Sequence, residues 1–302
     1  MRLMFAGSPA PAVPVLDALR DSGHEVVLVI TRADRPRGRS AHPVPTPVGD
    51  AAAAAGIPVL APASINAPES LDAMRAAGAE ALVVAAYGQI LRDDVLAGWP
   101  CLNVHYSLLP AYRGAAPVER ALMDGAEEVG TTIMVMDEGL DTGPIIESVR
   151  VSLAKDDDAG SLLMKMGGAS GPALIRALDA LEGGSLAATP QPEAGASVAA
   201  KITDADRPID PRRSATAIQD QVRALSPHIG ATIGIDGRAY KVWRVTPTNA
   251  AAVPGLVRDS GRVILGTASG GLEVVELQPP GKARMHGDAF LRGYHGDLAL
   301  TS

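Results

Sequence analysis

Between residues 1 and 105, apolar runs of five to seven residues recur without the polar alternation of a half-exposed strand: RLMFAG, EVVLVIT, IPVLA, ALVVAA and CLNVH. Runs of this kind belong to strands covered on both faces, the habit of a parallel sheet packed between helices. Helix-like stretches separate them: VPVLDALRDSG, VGDAAAAAG and a third that ends near Gly78. Gly23, Gly56 and Gly78 stand where a helix closes on a left-handed residue. The alternation predicts a doubly wound, mostly parallel, Rossmann-like α/β domain. In such a sheet ligands bind beyond the carboxyl ends of the strands, where His105 and the residues after it emerge.

After a helix, PVERALMDG, come GTTIMVMD and PIIESVRVSL, two β-rich runs joined through EGLDTG, which predict a hairpin. A long helix, SLLMKMGGASGPALIRALDALEGG, closes a first domain over residues 1–184. Residues 185–204 are small, polar and Pro-bearing, the composition of a linker. Residues 205–302 hold one helix, SATAIQDQVRAL, and then short strands punctuated by Gly turns, which predict a small OB-like β-barrel.

A chain of 302 residues with 47% hydrophobic content can bury two cores. Its longest apolar runs are too short to cross a bilayer, and MRLMFAGSP reads as a strand and not a signal peptide, so a cytoplasmic protein without membrane contact is expected. The single cysteine, Cys101, excludes an internal disulfide and a Cys-based zinc cluster, and its apolar run predicts a buried thiol. Net charge is −7, but unevenly spread. Residues 1–200 hold 14 Lys/Arg against 24 Asp/Glu, whereas residues 201–302 hold 13 against 10. The positive balance of the second part permits a polyanion-facing domain on an acidic body.

The first strand ends in AGSP, so the three-glycine pattern that seats a pyrophosphate is absent and no dinucleotide site is expected at Gly7. Asn103, His105 and Asp141 of GLDTG form a different set. An amide and an imidazole can donate to a developing oxyanion, while a carboxylate orients the imidazole or accepts a proton from an amine. Together they could run acyl transfer without a protein nucleophile. Each also has a plain structural use: an amide bonded to nearby backbone, a histidine at a strand end, an aspartate in a turn.

The flanking residues add a signal. SLLP at 107–110, AYRGAAPVERAL and MDEGLDTGPII closely resemble the folate-dependent formyltransferases, marked by N-x-H-x-S-L-L-P and, about thirty residues on, D-x-G-x-D-T-G. The resemblance implies that Asn103, His105 and Asp141 are catalytic. It also implies that Ser107, Leu108, Leu109 and Pro110, with Gly88, Ile90 and Leu91 of VAAYGQIL, line a folate site. TRADRPRGR, TPV at 46–48, RALSPHIGA at 223–231, KVWR at 241–244 and LQPPGKARM at 277–285 are similar to the branch that formylates methionyl-tRNA, nearly end to end. Implied are 10-formyltetrahydrofolate as co-substrate, methionyl initiator tRNA as partner, translation initiation as the setting, a monomer, and no metal. The six histidines show no H-E-x-x-H spacing. Tyr106 occupies a permissive position, while Asp210-Pro211 and Pro227-His228-Ile229 depart from the branch's pattern and leave details of tRNA contact open.

Residues 31–45 hold four arginines broken by Pro36 and Gly38, which read either as a solvated loop or, through the resemblance, as the loop that meets the tRNA acceptor end. Arg37 and Arg39 are the candidates there, with Lys201, Arg212 and Arg213 in the basic second part. A formyltransferase acting on a small amine, or a non-catalytic tRNA-binding relative, remain alternatives.

Overall fold

The computed structural model describes residues 1–36, 43–250 and 254–301. The chain begins with β1 (Arg2–Gly7), α1 (Val13–Arg20), β2 (Glu25–Ile30), the two-residue β3 (Arg35–Pro36) and β4 (Pro43–Val44), and α2 (Pro47–Ala54). β5 (Val59–Leu60), α3 (Pro68–Ala76), β6 (Ala81–Ala85), α4 (Asp93–Gly98) and β7 (Cys101–His105) follow. Next come β8 (Arg113–Gly114), α5 (Pro117–Met123), β9 (Val129–Val135), β10 (Ile145–Val151), α6 (Ala159–Glu182) and β11 (Val198–Ala199).

β10, β9, β7, β6, β1, β2 and β5 lie side by side in that order. The five strands from β7 to β5 run parallel, and the hairpin of β9 and β10 adds two antiparallel strands, as its two β-rich runs predict. Every residue of β6 and β7 is buried, which is why neither shows alternation. Leu82, Val84, Tyr87, Val95 and Trp99 belong to one core on this sheet. Thr46 caps α2 by accepting from the Gly49 amide, with Pro47 preset at the first helical position. Gly56 and Gly78 have φ of +70° and +63°, as their helix-closing positions demand, but Gly23 does not adopt that conformation; α1 stops at Arg20 and is closed by Asp21. Chain order reverses between β1 and β6, so the switch point lies where Gly7 and Ala85 end their strands.

By its own contacts the chain divides into two compact units, Met1–Pro117 with Glu128–Ser152 and Leu163–Ala199, and Val118–Glu127 with Leu153–Leu162 and Ala200–Ser302. The second unit thus takes in two short segments from the first 184 residues. In one of them Arg120 makes a forked pair with Asp206, at 2.6 and 3.0 Å. The second unit also holds α7 (Ala215–Leu225), β12 (Ala231–Ile235), β13 (Arg238–Thr248), β14 (Gly255–Asp259), β15 (Arg262–Thr267), β16 (Gly270–Gln278), β17 (Met285–His286), α8 (Gly287–Gly293) and β18 (Leu300–Thr301). Its strands form an antiparallel, barrel-like sheet in the order β14, β15, β16, β13, β12, β18. The eleven-residue β13 slips register against β16 on both sides of Arg244, the kind of bulge that bends a strand around a small barrel. Ile218, Val222, Val242, Leu265 and Leu272 fill the interior. Among the described residues no helix is long and apolar enough to cross a membrane.

Candidate active site

Asn103 and His105 are two apart on β7 and so share a face at its carboxyl end. The register sets Asn103 between Val84 and Met134, and the two side chains belong to residues only 9% and 5% exposed. Buried polar groups at a strand end need partners. Asn103 Nδ2 donates to Asp141 Oδ1 at 3.2 Å. His105 Nε2 meets the Tyr112 carbonyl at 2.9 Å, and its Nδ1 lies 3.6 Å from Asp141 Oδ2. A carbonyl only accepts, so Nε2 carries its hydrogen and Nδ1 is the nitrogen that faces the carboxylate. The Tyr112 carbonyl therefore orients the ring more closely than Asp141 does.

Asp141 sits on the β9–β10 connection at φ +53°, in the left-handed region. Asp137 staples this turn by accepting from the Gly139 amide and the Thr142 hydroxyl. Gly143 is demanded by close approach: a Cβ there would stand 1.9 Å from the Val135 carbonyl oxygen. The Gly114 amide donates to Asp141 Oδ2 at 2.9 Å, and Gln191 Nε2 donates to the carbonyls of Asp141 and Gly143, both at 2.8 Å.

Residues 107–110 follow directly. Ser107 Oγ donates to the Ala111 carbonyl at 2.6 Å, while Thr132 of β9 donates to the Ser107 carbonyl and accepts from the Leu109 amide. Ser107 and Leu109 are buried, Leu108 and Pro110 partly so. Of the neighbours at the end of β6, Gly88 is exposed at φ +79°, Ile90 is 78% exposed, and Leu91 belongs to the core. At this edge the Ile90 side chain and the Gly88 backbone are the more open, and the Leu91 side chain is the more enclosed. At the switch point a cleft of about 340 Å³ is lined by residues that include Ser8, Arg32, Thr46 and Tyr87. Cys101 is buried as its run predicts, with burial pushing its thiol up to about 12, so it offers no thiolate.

Arg37 and Arg39 lie outside the described residues. Lys201 is exposed, Arg213 reaches Gln221 at 3.4 Å, and Arg212 is exposed but clamped by Asp210 through Nε and Nη2, both at 2.9 Å. That clamp holds the Asp210 carboxyl at about 2 and leaves Arg212 locally neutralised. The second unit also holds cations that position along the chain did not single out. The Arg284 guanidinium lies 3.4 Å over the Trp243 ring and Lys241 Nζ 5.1 Å from it, the former with Arg223 and Arg244 lining a cleft of about 660 Å³. Lys241 is held below the usual lysine range by burial and by Arg207 and Arg284. The available signal was the Trp243 ring set between the cations of KVWR.

Tyr112, Gly114 and Gln191 carry no sequence signal of a place in the site. The first two lie within AYRG, but nothing in their residue types announces a backbone role; Gln191 lies in a segment of linker composition. One group of described side chains could hold a metal ion, His24 with Asp179 and Glu182. It precedes the amino end of β2, at the opposite end of the parallel strands from Asn103 and His105.

The family described as formyl transferase matches residues 1–178, and its C-terminal domain matches residues 201–295. The methionyl-tRNA formyltransferase of Bordetella petrii is 43% identical over 97% of both chains. That of Thermus thermophilus is 41% identical over 97% of this chain and 96% of its own. Among solved structures, a methionyl-tRNA formyltransferase from Clostridium thermocellum shares the fold with a TM-score of 0.61 at 14% identity, over 83% of this chain and 95% of that one. HypX from Aquifex aeolicus, in complex with tetrahydrofolic acid, does so with a TM-score of 0.71 at 15% identity, over all of this chain and 51% of that one.

Proposed function

This chain belongs to the formyl transferase family, and from that premise we propose that it moves the formyl group of 10-formyltetrahydrofolate to the α-amino group of methionine esterified to initiator tRNA. The observation that carries this reading is 43% identity across 97% of both chains to a methionyl-tRNA formyltransferase, the C-terminal domain included. The closure of Asn103, His105 and Asp141 into one cluster supports it.

An α-amine attacks the formyl carbon with its lone pair, and the carbonyl electrons move onto oxygen. Asn103 Nδ2 has two hydrogens; one goes to Asp141 Oδ1, and the other is free for that oxygen. His105, anchored through Nε2 on Tyr112, presents Nδ1 toward Asp141. A proton lost by the attacking amine is held between Nδ1 and the carboxylate and passes to the folate nitrogen as its bond to the formyl carbon breaks. Atoms and charge balance without a protein nucleophile. Ser107 to Pro110 and the exposed Gly88 and Ile90 form the edge against which the folate lies. Arg37, Arg39, Lys201, Arg212 and Arg213 are candidates for tRNA contact, joined by Arg244 and Arg284; Arg212 must first leave Asp210.

Offering 10-formyltetrahydrofolate with methionyl-tRNA, free methionine or an amino sugar nucleotide tests the acceptor. Formyl-methionine released after ester hydrolysis of the tRNA supports the reading. A formylated small amine with untouched methionyl-tRNA overturns it.

A further inference from the structure

We infer that Gln191 is a positioning residue for formyl transfer, holding the Asp141 carboxylate in register with Asn103 and His105; this rests on the roles proposed above for those three. Both hydrogens of the Gln191 amide are used, on the Asp141 and Gly143 carbonyls at 2.8 Å each, and its Oε1 accepts from Arg113 Nε at 2.9 Å. The amide can sit only one way round: flipped, its oxygen would face two carbonyls and its NH2 a guanidinium.

The contacts close a ring. Arg113 is followed by Gly114, whose amide donates to Asp141 Oδ2. Gln191 thus grips Asp141 twice, at its backbone carbonyl directly and at its carboxylate through Arg113 and Gly114. Asp141 needs such a grip because a non-glycine residue at φ +53° lies uphill of the ordinary backbone wells and relaxes if released. Chain pairing brings Gln191 there. Thr189 exchanges two backbone hydrogen bonds with Ile145 at 2.8 Å, and Val198 and Ala199 of β11 run beside Arg113 and Gly114 of β8. Residues 189–199 therefore form a wall of the site. A misplacement of about 1 Å in a reacting constellation can cost on the order of a hundredfold in rate.

Two substitutions separate positioning from general support of the fold. Gln191→Met keeps length and loses every hydrogen bond; Gln191→Glu keeps the Arg113 contact but turns acceptors toward two carbonyls. Each should lower kcat for formylation of methionyl-tRNA at least tenfold, with KM for 10-formyltetrahydrofolate changed less than about twofold. In an Asp141→Ala background the same changes should lower the residual rate less than about twofold, because the group they position is gone. The Glu variant carries the test if the Met variant proves poorly folded. Equal losses in both backgrounds would reduce Gln191 to a fold staple, and an unchanged kcat would remove it from the reaction altogether. Full activity of Asp141→Ala by itself would instead sink the role of Asp141.

Discussion

Asn103 is the residue on which the chemistry turns, because among the described residues its second amide hydrogen is the donor in the cluster left uncommitted by the contacts around it. Asn103→Ala should lower kcat by roughly two to three powers of ten with KM for the folate largely kept, since an oxyanion donor acts mainly in the transition state; unchanged steady-state turnover would return Asn103 to a structural amide. Asp206 offers a test of the second unit. The Arg120 guanidinium, aided by the Thr203 amide and hydroxyl, holds its carboxyl at about 2, below the ordinary value of 3.8. A depressed folded value means the stabilisation is present above about pH 4 and is lost as pH falls toward 2. After allowance for solvent screening the pair contributes about 1 kcal/mol. Asp206→Asn should therefore melt lower than the parent at pH 7, with the gap closing between pH 4 and pH 2; a gap independent of pH would assign the loss to packing.

Among the elements, the strands were the most legible, since β1, β6 and β7 are buried on both faces and their sequences say so in apolar runs that lack polar alternation, interrupted in β7 only by Asn103 and His105. The hairpin of β9 and β10 was legible from two β-rich runs joined by a Gly-bearing turn, β9 buried and β10 partly exposed, and its GLDTG turn carries the one residue type, glycine at 143, that the crowding at Val135 allows. Gly143→Ala should destabilise the chain by about 1–3 kcal/mol, as overpacking does, and lower turnover more than stability alone explains because Asp141 lies two residues away. A calorimetric scan with a matched rate assay checks this, and a wild-type profile in both would show that the turn yields. β8 and β11 were not legible. Each has two residues, too few for any periodicity, and their pairing joins positions 113–114 to 198–199 across a stretch of small and polar residues that reads as linker. Tyr112 and Gln191 were hidden with them, since their contributions come through a carbonyl and an amide that only the folded chain brings to the site.

At the scale of the molecule, the doubly wound sheet and the barrel-like second sheet follow from patterns in their sequences, whereas the excursions of Val118–Glu127 and Leu153–Leu162 into the second unit do not. Arg120 shows why: it looks like any helical surface arginine until Asp206, 86 positions later, accepts its fork. A truncation after residue 184 would thus remove both the partner of Arg120 and the Gln191 wall of the site. Charge was legible only as a balance. It located the basic excess after residue 200 but not that Arg212 spends its charge on Asp210 while Arg284 stacks on Trp243. Formyl transfer onto aminoacylated tRNA depends on the cluster at the end of β7. The most direct measurement is a single-turnover reaction of the full chain and of Asp141→Asn with 10-formyltetrahydrofolate and methionyl-tRNA, both saturating. The parent should give formyl-methionyl-tRNA, and the variant a rate lower by at least a hundredfold. No product from the parent, or equal rates from the two, would contradict that dependence.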